Sequence, residues 1–177
     1  MHQFRQAVIA DAETIAQLVN AAYRGESSRA GWTTEADILD GLRTSANEVK
    51  RLIEAENTII LLCLKNADLL GSICMEQAPD AIHIGMFVVN PTLQGSGIGK
   101  QLLAAAEKLA QQTWVTKKFQ MHVITIRHEL IAFYERRGYL RTGILSEFPL
   151  NPSVWQPKLA GLQLETLEKI FSTQTTA

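Results

Sequence analysis

Residues 85–100 read GMFVVNPTLQGSGIGK: an apolar run, an Asn90-Pro91 stop and a glycine-rich turn from Gln94 to Lys100. A helical pattern follows, with Ile98, Leu102, Ala105, Ala106 and Leu109 on one face. Strand, glycine turn and helix together form a place for phosphate. Glycines let the backbone approach the anion, and free N–H groups converge on it at the positive helix end. Spacing narrows the choice. A P-loop needs four residues between its first Gly and the Gly-Lys pair, then Ser or Thr. Here three residues separate Gly95 from Gly99-Lys100, and Gln101 follows. A dinucleotide turn needs glycine where Lys100 stands, and an acidic residue about 20 positions on, where Phe119 stands. A glycine turn without a ligand is the plain alternative.

The surrounding pattern alternates helix and strand. Residues 3–9 suit a short strand, and Asp11 suits the N-cap of a helix carrying Ile15, Leu18, Val19 and Ala22. Residues 24–34 read as loop. Helices are expected from Glu35 to about Arg43 and from about Ser45 to Glu54, interrupted by Gly41. Thr58–Leu64 (TIILLCL) suits a strand buried on both faces. Leu69–Glu76 and Ala81–Val89 are further strands, joined by an Ala78-Pro79-Asp80 turn. Residues 119–126 (FQMHVITI) form another strand, and the helix between makes it parallel to 81–89. A helix from Leu130 to Arg137 ends at Gly138; Tyr139–Ile144 and Leu162–Phe171 read as strands, and 146–158 as loop. The fold class is α+β. One domain over 1–171 and a frayed tail over 172–177 are expected.

The 177 residues are 46% hydrophobic and 20% charged, which excludes a disordered or fibrous chain. No apolar run reaches the roughly 20 residues of a membrane span, so no membrane partner is expected. The first residues lack the apolar segment of a signal peptide. Cys63 and Cys74 sit in apolar strand-like runs, as buried reduced thiols would, and a cytoplasmic location fits them. No Cys/His cluster calls for a metal. Net charge is −1, which disfavours a nucleic-acid partner. Residues 1–80 carry 7 Lys/Arg and 12 Asp/Glu, whereas 81–177 carry 10 and 6. The halves are thus acidic and basic, by function or by chance.

The phosphate turn fits a third pattern, Gln/Arg-x-x-Gly-x-Gly/Ala, written here Gln94-Gly95-Ser96-Gly97-Ile98-Gly99. Downstream, AFYERRGY (Ala132–Tyr139) follows at about 40 residues. Together they resemble the GNAT superfamily of acetyl-CoA-dependent N-acetyltransferases. The likeness spans roughly 3–170 and is specific over 81–140. It implies a single mixed sheet of about six to seven strands flanked by helices, with a splayed parallel pair holding CoA. Gly85 and Asn90-Pro91 could accommodate a bulge and a break there. Acetyl-CoA is the implied co-substrate. Pantetheine is expected along Phe87 and Val89, the thioester oxygen against the N–H of Val88, and pyrophosphate on the amides of Gly95, Ser96, Gly97, Ile98, Gly99 and Lys100. For Phe87, Val88 and Val89 plain core packing is compatible with this, because the backbone binds.

Acetyl transfer needs a proton acceptor for the amine and an acid for the leaving thiolate. Tyr134 matches the superfamily's general acid; a packing tyrosine is the alternative. His83 lies eleven positions before Gln94. The corresponding position carries the glutamate base in histone acetyltransferases of the superfamily and a histidine in serotonin N-acetyltransferases. Strict alternation puts His83, Gly85, Phe87 and Val89 on one side. His83 is the expected base, Glu76 the runner-up, and a pocket-lining histidine the alternative. Arg127 stands where the superfamily has an asparagine that helps hold CoA, so that role is not carried over. His122 faces away from Phe119, Met121 and Val123, and His128 reads as a surface residue.

The acceptor, a small-molecule or peptide amine, is implied to enter between Arg24–Leu39 and Ser146–Trp155. Trp32, Phe148 and Trp155 would wall its pocket, and Glu35 and Glu26 would attract an ammonium group. Trp32 as core and Glu35 as a helix opener are the alternatives. A homodimer is compatible with the likeness. Two other functions compete: a non-catalytic acyl-CoA-binding module on this fold, and an acetyltransferase of aminoacyl-tRNA, which the missing concentrated basic surface disfavours.

Overall fold

The strand at Ile82–Val89, here β5, is the pivot of the architecture. In the computed structural model, which describes residues 2–115 and 117–171, it lies at the centre of a seven-stranded sheet. The expected tail at 172–177 falls outside the described residues. The other strands are β1 (Gln3–Gln6), β3 (Thr58–Lys65), β4 (Asp68–Gln77), β6 (Lys118–Ile124), β7 (Leu140–Glu147) and β9 (Gln163–Ile170). Their order is β1-β3-β4-β5-β6-β9-β7, with β5–β6 parallel and every other pair antiparallel. The mixed α+β sheet expected from the sequence is therefore present.

Two helical layers cover it. Helix α1 (Ala12–Tyr23) buries Ala12, Ile15, Ala16, Val19 and Ala22, and packs with Val49 of α2 (Ala46–Glu54) on one face. Ser45 caps α2 by accepting the Glu48 N–H. Helices α3 (Ile98–Thr113) and α4 (His128–Glu135) pack on the other face, with Ile98, Leu102, Leu103, Ala106, Ile131 and Tyr134 in its core. Asp11 does not cap α1 with its side chain; its carboxylate binds Arg5 and the Val8 N–H instead. Cys63 and Cys74 are buried and free. Among the described residues no helix is long and apolar enough to cross a membrane.

The helix expected over 35–43 is not formed. Glu35 starts a turn, and Leu39–Gly41 becomes strand β2, paired with β8 (Trp155–Pro157) inside the segment read as loop. The cause is non-local: Gly41 has φ +91, and a Cβ there would lie 2.1 Å from the Val154 carbonyl oxygen. Only glycine allows that backbone approach.

Two irregularities of β5 shape the site. Pairing with β6 stops after Ile82–Phe119 and His83–Gln120, so the two parallel strands fork. Between the pairs Ser72–Val88 and Cys74–Gly85, Met86 and Phe87 together face Ile73, a β-bulge with Met86 at φ +41. Ile82, Ile84 and Val89 face the α3 side, whereas Met86 and Val88 face α1. The bulge therefore breaks the expected alternation: His83 and Gly85 lie on the opposite face from Phe87 and Val89.

Candidate active site

The fork opens onto two cavities. The first, about 330 Å³, lies against the start of α3 and is bordered by Gly95, Gly97, Gly99, Lys100, Arg136 and Arg137, among others. Gly95 and Gly97 have φ of +85 and +86, and a Cβ on either would project into open space. Among the described residues the amides from Gly95 to Lys100 have no main-chain partner outside α3, and the first helical amides have none within it. These donors and three cationic side chains make a site for a polyanion. Burial and the neighbouring Arg136 lower the Arg137 pKa, and its guanidinium covers the Phe133 ring.

Gln94 does something the motif does not reveal. Its Oε1 accepts the Trp32 N–H at 2.9 Å, and its Nε2 donates to Thr33 Oγ1 at 2.6 Å and to the Val89 carbonyl at 3.2 Å. It clamps the 31–33 loop over the end of β5. Trp32 consequently borders this cavity and not the second one, where it was expected. Its ring centroid lies 5.8 Å from that of Phe133.

The second cavity, about 290 Å³, lies at the fork and is bordered by Tyr23, Arg24, Glu35, Arg43 and Arg127 and by Phe148 and Trp155, among others. Phe87, Leu130 and Tyr134 border both cavities, so these meet at the Tyr134 ring. Tyr134 comes from α4, which ends at Glu135, two residues before the expected Arg137; Gly138, at φ +86, lies in the turn that follows. Burial pushes its phenol well above the ordinary range, the nearby Tyr23 adds to this, and Arg127 and Arg137 oppose it.

Alternation along β5 settles which backbone groups reach the fork. The Asn90 N–H pairs with the Leu70 carbonyl, so the Val88 N–H two residues earlier also points to β4. The peptide groups of Phe87 and Val89 turn to the fork instead. Tyr23 donates to the Phe87 carbonyl and Gln94 to that of Val89, both from that side. The expected oxyanion role of the Val88 N–H therefore does not fit this strand.

His83 does not border either cavity. It stacks on His122 of β6 at the base of the fork, with centroids 5.9 Å apart and planes 23° apart. His122 does border the second cavity, and its Nδ1 lies 3.1 Å from Thr166 Oγ1. Burial and, secondarily, the charge of His83 lower the His122 pKa. Glu76 sits opposite His83 in the β4–β5 register, outside both cavities.

Glu35 borders the second cavity but offers no free carboxylate. One oxygen pairs with Arg24 and the other accepts from Arg127 Nη1 at 2.8 Å. Arg127 also donates to the Thr33 carbonyl at 2.5 Å. Glu26 pairs with Arg29 on the surface, away from the cavity. Sequence reasoning missed Tyr23, Arg24 and Arg43 as site residues. No local motif marks them; only the sheet and the 24–43 loop bring them together.

The acetyltransferase (GNAT) family model matches residues 13–139. No curated protein matches the chain by sequence. Among solved structures, a GNAT-family acetyltransferase from Streptococcus pneumoniae is 18% identical with a TM-score of 0.68, covering 97% of this chain and 100% of that one. The PaiA N-acetyltransferase of Thermoplasma acidophilum in complex with coenzyme A is 16% identical, TM-score 0.67, covering 97% and 99%. The yncA protein of Salmonella typhimurium, a putative acetyltransferase with its cofactor acetyl-CoA, is 16% identical, TM-score 0.72, covering 98% and 96%.

Proposed function

The chain belongs to the acetyltransferase (GNAT) family, and from that premise we propose that it moves an acetyl group from acetyl-CoA to a primary amine by direct attack on the thioester. The observation that carries this reading is the meeting of two cavities at Tyr134, one lined by anion donors and one by the 24–43 and 148–155 segments. Acetyl-CoA supplies the activated acetyl thioester.

The residues divide the work. The amides of Gly95, Ser96, Gly97, Ile98, Gly99 and Lys100, with the Lys100, Arg136 and Arg137 side chains, hold the pyrophosphate. The peptide groups of Phe87 and Val89 hold the pantetheine arm, with Val88 keeping β5 on β4. The amine forms its new N–C bond as the C–S bond breaks. The amine proton passes to His83 by way of His122, which borders the acceptor cavity, or through water, and the thiolate takes the Tyr134 proton. Because burial keeps Tyr134 protonated, the acid is always charged with its proton. Phe148 walls the acceptor side, Trp32 covers the CoA side, and Glu35 fixes the cationic groups around the acceptor.

CoA release measured with acetyl-CoA and a panel of amines tests this. Acetyl-CoA-dependent acetylation of at least one amine, lost in Tyr134→Phe, is expected. Tight acetyl-CoA binding without turnover of any amine would assign the chain to a non-catalytic acyl-CoA module.

A further inference from the structure

The acceptor cavity has a charge opposite to that expected from the acidic first half of the chain. Its ionised walls are Arg24, Arg43, Arg127 and Glu35, two positive charges in excess. Glu35 is spent between two guanidiniums, and the pair Arg24–Glu35 is buried, each residue 7% exposed. The Arg24 Nε is buried without any hydrogen-bond partner. A buried guanidinium N–H left unpaired is costly, and an acceptor oxygen satisfies it, most strongly when it belongs to a carboxylate. Arg43 is half-buried, and its side chain makes no hydrogen bond or ion pair among the described residues. Its backbone is nonetheless fixed: Asn20 of α1 accepts the N–H of Arg43 at 2.7 Å and that of Thr44 at 3.2 Å. All three guanidiniums act on the Tyr23 hydroxyl, opposing burial and Glu35, so they share one neighbourhood.

The same cavity also has apolar lining: Ile124, Phe148, Trp155 and Leu164. A cavity of about 290 Å³ sits at the small end of ligand sites, which span roughly 300–1,000 Å³. From this arrangement we infer that the acceptor is a free α-amino acid with an apolar side chain, its carboxylate held by Arg24 and Arg43 and its side chain against Phe148 and Trp155. The inference rests on the acetyl-transfer reading and specifies its acceptor. A polyamine or lysine side chain would bring positive charge to a positive wall.

Matched acceptors test it. CoA release is followed with leucine, phenylalanine, leucinamide and isopentylamine, and acetyl-CoA binding is measured separately by calorimetry. Leucine is expected to exceed leucinamide and isopentylamine in kcat/KM by at least about tenfold, the value of one charge-assisted hydrogen bond. Arg43→Gln should raise the leucine KM by about tenfold, leave leucinamide within about twofold and leave acetyl-CoA affinity unchanged; Arg43→Lys should recover part of the loss. Equal turnover of leucinamide and leucine overturns the inference and leaves acetyl transfer standing, as does an Arg43→Gln effect of equal size on both. Acetyl-CoA binding with no turnover of leucine or phenylalanine also overturns it. Failure to bind acetyl-CoA would instead remove the acetyltransferase reading itself.

Discussion

Tyr23 of α1 donates its hydroxyl to the Phe87 carbonyl at 2.8 Å, tying the helix on one face of the sheet to the bulged end of β5. Burial, with Glu35 nearby, raises the Tyr23 pKa, so the phenol remains a donor. Tyr23→Phe leaves a half-buried carbonyl without this partner. Denaturant unfolding should show a loss of about 1–3 kcal/mol. The same variant should lower kcat, because Phe87 borders both cavities.

Tyr134→Phe should reduce kcat by about 100-fold or more while acetyl-CoA affinity changes little. A raised phenol pKa also means that Tyr134 contributes no alkaline fall in the wild-type pH–rate profile near the ordinary value of about 10. An alkaline limb at that value, absent in Tyr134→Phe, would overturn the raised pKa, whereas an unchanged kcat in Tyr134→Phe would remove the acid role.

The stacked histidines predict an acid limb. Burial and the charge of His83 place the His122 pKa below its ordinary value, about 6.5, so the folded protein favours the neutral ring. Activity that needs the neutral ring should rise with pH through the lowered pKa. Stability contributed by the neutral ring is present above the unfolded value and is lost as pH falls through the folded one. His83→Gln removes the like-charge contribution and should move the limb to higher pH. An unchanged kcat/KM profile in that variant would exclude His83 from the proton path.

Gly97→Ala places a side chain on a backbone at φ +86. The strain should cost about 1–2 kcal/mol in unfolding experiments. Its Cβ meets no protein atom, so any further loss is the ligand's. Calorimetry should show weaker acetyl-CoA binding than in a control such as Gly161→Ala, which also has positive φ and open space around it but borders neither cavity.

The sheet and the phosphate turn were legible because their signals are local. Thr58–Leu64 is apolar from Ile59 onward and is buried on both faces, and Gly95 and Gly97, read as letting the backbone approach phosphate, adopt positive φ. The 35–43 segment was not legible, because β2 pairs with a strand more than 100 residues away. The face assignment along β5 failed at one residue. Nothing in Met86 itself announces a positive φ, and Gly85 beside it was the only hint of irregularity. The charge of the acceptor cavity was misjudged for a similar reason. Asp37 and Glu26 are surface partners of Arg29, whereas Arg24 and Arg43 of the same half line the cavity.

The bulge at Met86 makes chain length, more than side-chain identity, the constrained quantity in β5. Deleting that one residue would set Phe87 opposite Ile73 in regular alternation and leave Phe87 and Val89 towards α3 and Val88 towards α1. What would go is the Met86 side chain from the α1 layer and the local bend at the strand end that Tyr23 and Gln94 hold. Removing a residue from the regular stretch 82–85 instead, with the bulge kept, would exchange the faces of the residues before it.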